Sequence, residues 1–292
     1  MAEADGAVSH HVENIRGIDI FYREAGPKTA PVLLLLHGFP SSSHMFRDLI
    51  PQLSDKYRVI APDYPGFGYS GAPKVGEFDY TFDSVANLIS ELTEKLGAKQ
   101  YVLYMQDYGG PVGFRLALKH PDRVRGIVVQ NATLFAEGWY PKVTEPFGPF
   151  WKSRSAETEA PMRGFLMAET TKWQYTQGTT RTDRLSPDAW THDQARLDRP
   201  GNDAIQLQYL WNYQDNLAQY PAWQAWLKTK QPPTLVVWGK GDPFFTTAGV
   251  DALKALVPKA TVNIYDAGHF ALESHGPEIA TAMRDFLAKL PN

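Results

Sequence analysis

The sequence contains no cysteine, which excludes disulfides, thiolate-bound metals and a cysteine nucleophile. Long apolar runs are missing too. The longest, Val32 to Leu36, is the length of a strand and far short of the roughly 20 residues that span a bilayer as a helix. Excess charge is absent: 29 Lys and Arg face 32 Asp and Glu, for a net charge of −3. No basic surface for nucleic acid and no polybasic membrane anchor follows from that balance. The opening residues, MAEADGAVSHHVEN, lack the charged-then-apolar pattern of a secretory signal. Histidines 10, 11, 44, 120, 192 and 275 do not have the spacing of a metal site, so no metal is expected. The simplest expectation is a soluble, cytoplasmic protein, and its 292 residues are enough for one large α/β domain with an inserted module.

Residues 10–24 alternate, with Ile18, Ile20 and Tyr22 on one face, and read as an opening hairpin. Val32 to Leu36 is continuously apolar, as in a strand buried on both faces of a parallel sheet. His37-Gly38-Phe39-Pro40 is a turn, and Ser41 to Ser43 are N-cap candidates for a helix carrying Phe46, Leu49, Ile50 and Leu53. A strand over Tyr57 to Ala61 leads into a turn-rich loop, Pro62 to Gly71. Thr81 or Asp83 caps a helix with Val85, Leu88, Ile89, Leu92 and Leu96 at helical spacing. Strands at 101–105 and 124–129, with a helix between, continue a rhythm that implies right-handed crossovers and a mainly parallel sheet.

After Asn131 the rhythm breaks. From 134 to 230 no strand-like run occurs, and seven of the eight tryptophans fall there. Helical pieces are expected at 156–167, 187–197 and 204–227. Strand and helix then alternate again through 234–238, 247–256, 261–265 and a closing helix to Leu287. The expected organisation is a discontinuous core, 1–133 and 231–292, interrupted by a helical cap, 134–230.

The stretch 101–115 carries the chemistry. An apolar run ends at Met105, and a helical pattern begins just past Asp107, with Gly109, Gly110 and Gly113 close behind. Such a strand-to-helix turn lifts its apex side chain above the sheet. Serine hydrolases built this way place Ser there, in G-x-S-x-G; here the apex is Asp107. Asp242, in Trp-Gly-Lys-Gly-Asp-Pro, and His269, in Asp-Ala-Gly-His-Phe, also fall just past strands. Ligands of open α/β sheets bind outside the carboxyl ends of the strands, so the three can meet at one site. Asp266 and Glu273 compete with Asp242 as the histidine's partner. Asp63 reads as a structural turn residue.

These motifs together (His37-Gly-Phe-Pro40, Asp63-Tyr-Pro-Gly-Phe-Gly-Tyr-Ser70, Gln106-Asp-Tyr-Gly109, Gly-Lys-Gly-Asp242 and Gly268-His269) span the chain and resemble the α/β-hydrolase superfamily. The aspartate elbow resembles its epoxide hydrolase and haloalkane dehalogenase branch. The resemblance implies a cofactor-free enzyme acting on an apolar small molecule. Asp107, ionised without help from a base, attacks an sp³ carbon to give an alkyl ester. His269, oriented by Asp242, activates water against that ester, and the backbone N–H groups of Phe39 and Tyr108 hold the oxyanion. The resemblance also assigns His37 to shaping that oxyanion loop. Met105 departs from the pattern, which normally has a small residue two before the nucleophile.

The two activities differ at the leaving group. An epoxide oxygen needs an acid, usually one or two tyrosine hydroxyls; a halide needs N–H donors. Dehalogenases resembling this chain carry Trp directly after the nucleophile, where this one has Tyr108. The segment Leu210-Trp-Asn-Tyr213-Gln-Asp-Asn216 is similar to an epoxide-hydrolase cap segment, with Gln214 where Arg is usual. It makes Tyr213 the first candidate acid, and Tyr175 is the candidate second hydroxyl. Trp139, Trp173 and Trp211 are candidate halide donors, and Gln106 with Gly109-Gly110 resembles some dehalogenases. Epoxide hydrolysis is the first expectation and haloalkane dehalogenation the second. A non-catalytic ligand-binding protein on the same fold is the alternative of a different class.

Overall fold

The computed structural model describes residues 7–290; the outermost positions of the expected core, 1–6 and 291–292, lie outside them. Eight strands form one sheet: β1 (Ser9–Ile15), β2 (Ile18–Ala25), β3 (Val32–Leu36), β4 (Arg58–Pro62), β5 (Tyr101–Gln106), β6 (Val124–Gln130), β7 (Thr234–Gly239) and β8 (Thr261–Tyr265). Their order is β1-β2-β4-β3-β5-β6-β7-β8. The β1/β2 hairpin and the β2/β4 pair are antiparallel, and every other pairing is parallel. This is the α/β-hydrolase fold.

Alternation along the central strands builds two cores. Leu34, Leu36, Leu103, Met105, Ile127, Val129, Val236 and Trp238 pack on one face. They meet α1 (Phe82–Lys95), α2 (Gly109–Lys119) and α9 (Ala248–Leu256). Leu33, Leu35, Val102, Tyr104, Val128, Leu235 and Val237 pack on the other face, against α10 (Ala271–Leu287) and against Phe46, Leu49, Ile50 and Leu53. Period-two strands buried on both faces read as the continuous apolar runs seen in the sequence. At the start of α1, the Thr81 hydroxyl accepts from the Ser84 N–H at 3.1 Å, so Thr81 and not Asp83 is the cap.

The helix expected after Ser41 to Ser43 is instead two 3₁₀ turns, Ser43–Phe46 and Ile50–Gln52. Pro51 explains the break: it has no N–H to donate one turn back, and its ring clashes there. The four apolar side chains still face the core. Between β6 and β7 the described chain forms helices and turns without a strand. These are α3 (Pro141–Thr144), α4 (Phe147–Lys152), α5 (Ala156–Arg163), α6 (Ala168–Thr176), α7 (Pro187–Leu197) and α8 (Asn202–Lys230). The piece expected over 156–167 ends early, where Gly164 opens a 3₁₀ turn. Among the described residues, no helix is long and apolar enough to cross a membrane.

Candidate active site

Asp107 lies between β5 and α2 with φ +48°, the left-handed region that a non-glycine residue occupies only where the surrounding structure compels it. The turn lifts its carboxylate over the sheet edge. The loop after β3 comes to meet it. A Cβ on Gly38 would overlap the Asp107 Cβ and the Gln106 amide oxygen, so only glycine lets the two backbones approach this closely. That approach sets the Phe39 N–H on Asp107 Oδ1 at 2.7 Å, and the Tyr108 N–H also bonds the carboxylate. Burial pushes the Asp107 pKa up, only partly opposed by His269 and these two N–H bonds.

His269 follows β8 and is fully buried. Its Nδ1 lies 2.9 Å from Asp242 Oδ2, and its Nε2 lies 3.9 Å from Asp107 Oδ2. Burial works against the imidazolium. The Asp242 carboxylate and its hydrogen bond, joined by Asp107, outweigh it and raise the His269 pKa. Asp242 is in turn fixed from three sides. Its Oδ1 accepts the N–H groups of Phe244 (2.7 Å) and Phe245 (3.2 Å), and its Oδ2 accepts Asn131 Nδ2 at 2.7 Å. Asn131 stands just past β6 with φ +42°, and its Oδ1 accepts the Gly239 N–H at 3.0 Å. This amide ties the end of β6 to the loop carrying Asp242. In the sequence, Asn131 marked only the end of a strand; nothing local shows that it reaches across to β7.

The competing acids are engaged elsewhere. Asp266 is exposed and pairs with Lys240 at 2.5 Å, while Glu273 forms a two-bond pair with Arg47 at 2.7 and 2.9 Å. His37 is buried and neutral: desolvation drives its pKa down to about 3, and its Nε2 accepts the Tyr64 N–H at 3.2 Å. Asp63 is also buried, and its two oxygens accept the N–H groups of Ser43 (2.7 Å) and Tyr69 (2.8 Å), a loop-fixing role.

A narrow, mainly apolar cavity opens above Asp107. Phe39, Tyr108, Val143, Phe147, Phe165, Leu210, Phe244 and Phe245 supply its apolar wall, and Trp139, Gln174, Tyr213 and His269 its polar points. Tyr213, from α8, is part of this lining. Trp139 enters too, but its indole Nε1 donates to the Tyr220 hydroxyl at 3.1 Å, and Tyr220 in turn hydrogen-bonds Tyr213.

Three expected residues stay out of the cavity wall. Tyr175 is buried beneath it, stacked on Phe270 at 3.9 Å with its hydroxyl donating to Asp193. Trp173 is 40% exposed and packs edge-on against Phe244. Trp211 packs against Phe150. The reason is helical phase: on α6 the side chain that turns inward is Gln174, between the two aromatics that the sequence made conspicuous. The hydroxyl of Tyr108 is buried without a partner among the described residues, its ring lying among those of Phe67, Phe82, Tyr209 and Tyr213.

With this geometry in place, comparison with known proteins adds the family. Residues 31–276 match the family described as the α/β hydrolase fold. The chain belongs to that family. It is 39% identical over 283 residues to a hydrolase of Saccharomyces cerevisiae described as uncharacterized, covering 96% of this chain and 97% of that one. It is 28% identical to a cis-3-alkyl-4-alkyloxetan-2-one decarboxylase of Xanthomonas campestris, covering 94% of each chain. A haloalkane dehalogenase of Psychrobacter cryohalolentis is also 28% identical, covering 93% of this chain and 88% of the relative. Among solved structures, an epoxide hydrolase of Vigna radiata superposes with a TM-score of 0.75 at 23% identity, covering 97% of this chain and 99% of that one. The chain is thus a hydrolase of the α/β fold, similar in sequence to a haloalkane dehalogenase and in fold to an epoxide hydrolase.

Proposed function

We propose that this hydrolase opens epoxides to vicinal diols, with residues 134–230 serving as a cap over the core formed by 1–133 and 231–292. The observation that carries the choice is the identity of the donors facing Asp107. Tyr213 brings a hydroxyl into the cavity, whereas the Trp139 indole N–H is spent on Tyr220 and the Trp173 and Trp211 rings lie outside the wall. The Trp139 N–H can only donate. In this reading Tyr220, which hydrogen-bonds Tyr213, turns its own proton to Tyr213 as the Tyr213 proton passes to the substrate. Burial raises the Tyr213 pKa well above that of an ordinary phenol, so it stays protonated until an alkoxide forms beside it. One relative's named substrate, an oxetan-2-one, is likewise a strained oxygen ring.

In this reading Asp107 Oδ2 attacks a ring carbon while Oδ1 stays on the Phe39 N–H. The C–O bond breaks, its electron pair goes to the ring oxygen, and that oxygen takes the Tyr213 proton. The product is a hydroxyalkyl ester. His269 then takes a proton from water as the water attacks the ester carbonyl, and negative charge develops on Oδ1 where the Phe39 N–H already points. Collapse releases the diol with the former Oδ2. The His269 proton goes to the diol oxygen, and the new carboxyl's proton restores Tyr213.

The test is turnover of matched epoxides and primary haloalkanes, scored as diol formed and halide released. Diol formation is expected, with Tyr213→Phe slowing it by on the order of 100-fold. Halide release without diol would assign dehalogenation instead. No turnover of either class, with ligands still bound, would favour a binding protein.

A further inference from the structure

Gln174 is 1% exposed, and its amide Nε2 is buried without a hydrogen-bond partner among the described residues, yet the residue lines the cavity beside Asp107 and His269. A buried amide left without a partner is costly, and most such groups in folded proteins are paired. Gln174 does not point there through looseness. The segment after α6 lies backbone against backbone on the loops that carry Asp242 and His269: a Cβ on Gly241 would overlap the Gly178 carbonyl, and one on Gly268 the Gln177 carbonyl. Thr180 adds two bonds to the Asp266 carbonyl, from N–H at 3.3 Å and hydroxyl at 3.1 Å. Gln174 thus enters from the His269 side, whereas Tyr213 packs on the Tyr108 and Trp139 side.

Among the described residues, the cavity wall contains no lysine or arginine, and the Asp107 carboxylate in the same wall disfavours a substrate anion. The acceptor that fits an amide N–H here is neutral. We propose that Gln174 is a specificity-determining residue whose Nε2 donates to a neutral oxygen on the substrate, an ether or carbonyl remote from the carbon that Asp107 attacks. The inference rests on the epoxide reading only for which carbon reacts; the oxygen site stands on the unpartnered amide. It narrows the substrate class from any apolar epoxide to one with a second, uncharged oxygen.

Equilibrium binding tests this without turnover. The probes are a phenethyl methyl ketone and the alkene in which C=CH₂ replaces its C=O, titrated by calorimetry into the wild-type protein, Gln174→Met and Gln174→Leu. Met keeps the length of the side chain and removes the N–H, and Leu is the second variant should Met fail to fold. The wild type is expected to bind the ketone tighter than the alkene by about tenfold or more, and the variants to bind both equally. Equal binding by the wild type, or a ketone preference that survives in the folded variants, would overturn the proposal. Failure of the enzyme to form diols, with the ketone preference intact and lost on substitution, would sink the epoxide reading and leave the oxygen site standing.

Discussion

Asp107 and His269 face each other across 3.9 Å, carboxylate Oδ2 to imidazole Nε2, too far for a hydrogen bond. Meanwhile Asp107 Oδ1 is already held by the Phe39 N–H. The two oxygens of one carboxylate are therefore unequal. In the proposed reaction, one sits where charge would develop in ester hydrolysis, and the other attacks. A serine at this apex would need His269 within hydrogen-bond reach to lose its proton; a carboxylate does not.

The pH dependence should separate the two steps. Alkylation needs ionised Asp107, whose pKa burial raises, so the single-turnover alkylation rate should fall on the acid side at a pH above the ordinary carboxylate range. Hydrolysis needs neutral His269. Part of what raises the His269 pKa is the Asp107 charge, and the ester removes that charge. The acid limb of ester hydrolysis should therefore lie below the pKa of His269 titrated in the free enzyme by NMR. Coincidence of the two values would mean that a negative charge, on Asp107 or on a Tyr213 phenolate, stays near His269 in the intermediate.

Asp107→Asn should stabilise the protein at neutral pH. A carboxyl whose folded pKa is raised contributes stability below its unfolded pKa of about 4, and that contribution is lost as pH rises through the folded value. Above it, the folded state carries the cost of a desolvated charge. Asn removes that cost, tolerates the left-handed backbone, and can still accept from Phe39 and Tyr108. The expected change is a rise in Tm of about 2–4 °C at pH ~8, shrinking toward pH ~4. A lower Tm at the higher pH would contradict it.

Asn131→Gly keeps the positive φ and removes the amide that bonds Asp242, the Gly239 carbonyl and the Gly239 N–H. Ester hydrolysis should slow by about tenfold and stability should fall by about 1–3 kcal/mol, the scale of buried groups left unpaired. Stopped-flow decay of the intermediate and urea unfolding measure the two. Unchanged hydrolysis would show that Asp242 needs no second clamp.

Met105 and Gly113 form a matched pair. A Cβ on Gly113 would overlap Met105 Sδ, so the bulky residue before the elbow is accommodated by a missing side chain on the helix after it. Gly113→Ala should cost about 1–3 kcal/mol. Adding Met105→Ala should cost less than the sum of the single changes, as read by urea unfolding. Strict additivity would mean that the two do not press on each other.

Much of this was legible in the sequence because buried parallel strands announce themselves as apolar runs, and strand ends mark where Asp107, Asp242 and His269 could meet. Local chemistry was less visible. Pro51 broke an expected helix whose apolar pattern was sound. Tyr175 and Trp173 stood out by residue type, yet helical phase turned Gln174 inward between them. Asn131 acts across the sheet on Asp242, a contact between residues 111 apart in sequence, which no local pattern encodes. Identity of residues carried the strand ends; rotation about a helix axis and long-range pairing decided the rest.

The central claim is that Asp107 becomes covalently attached to substrate and that His269 frees it. Intact-protein mass spectrometry of His269→Ala after mixing with an epoxide tests it most directly. The account predicts an added mass equal to one epoxide, located on the peptide containing Asp107 and absent from Asp107→Asn/His269→Ala. An unmodified His269→Ala protein that still forms diol, or an adduct on any other residue, would contradict it.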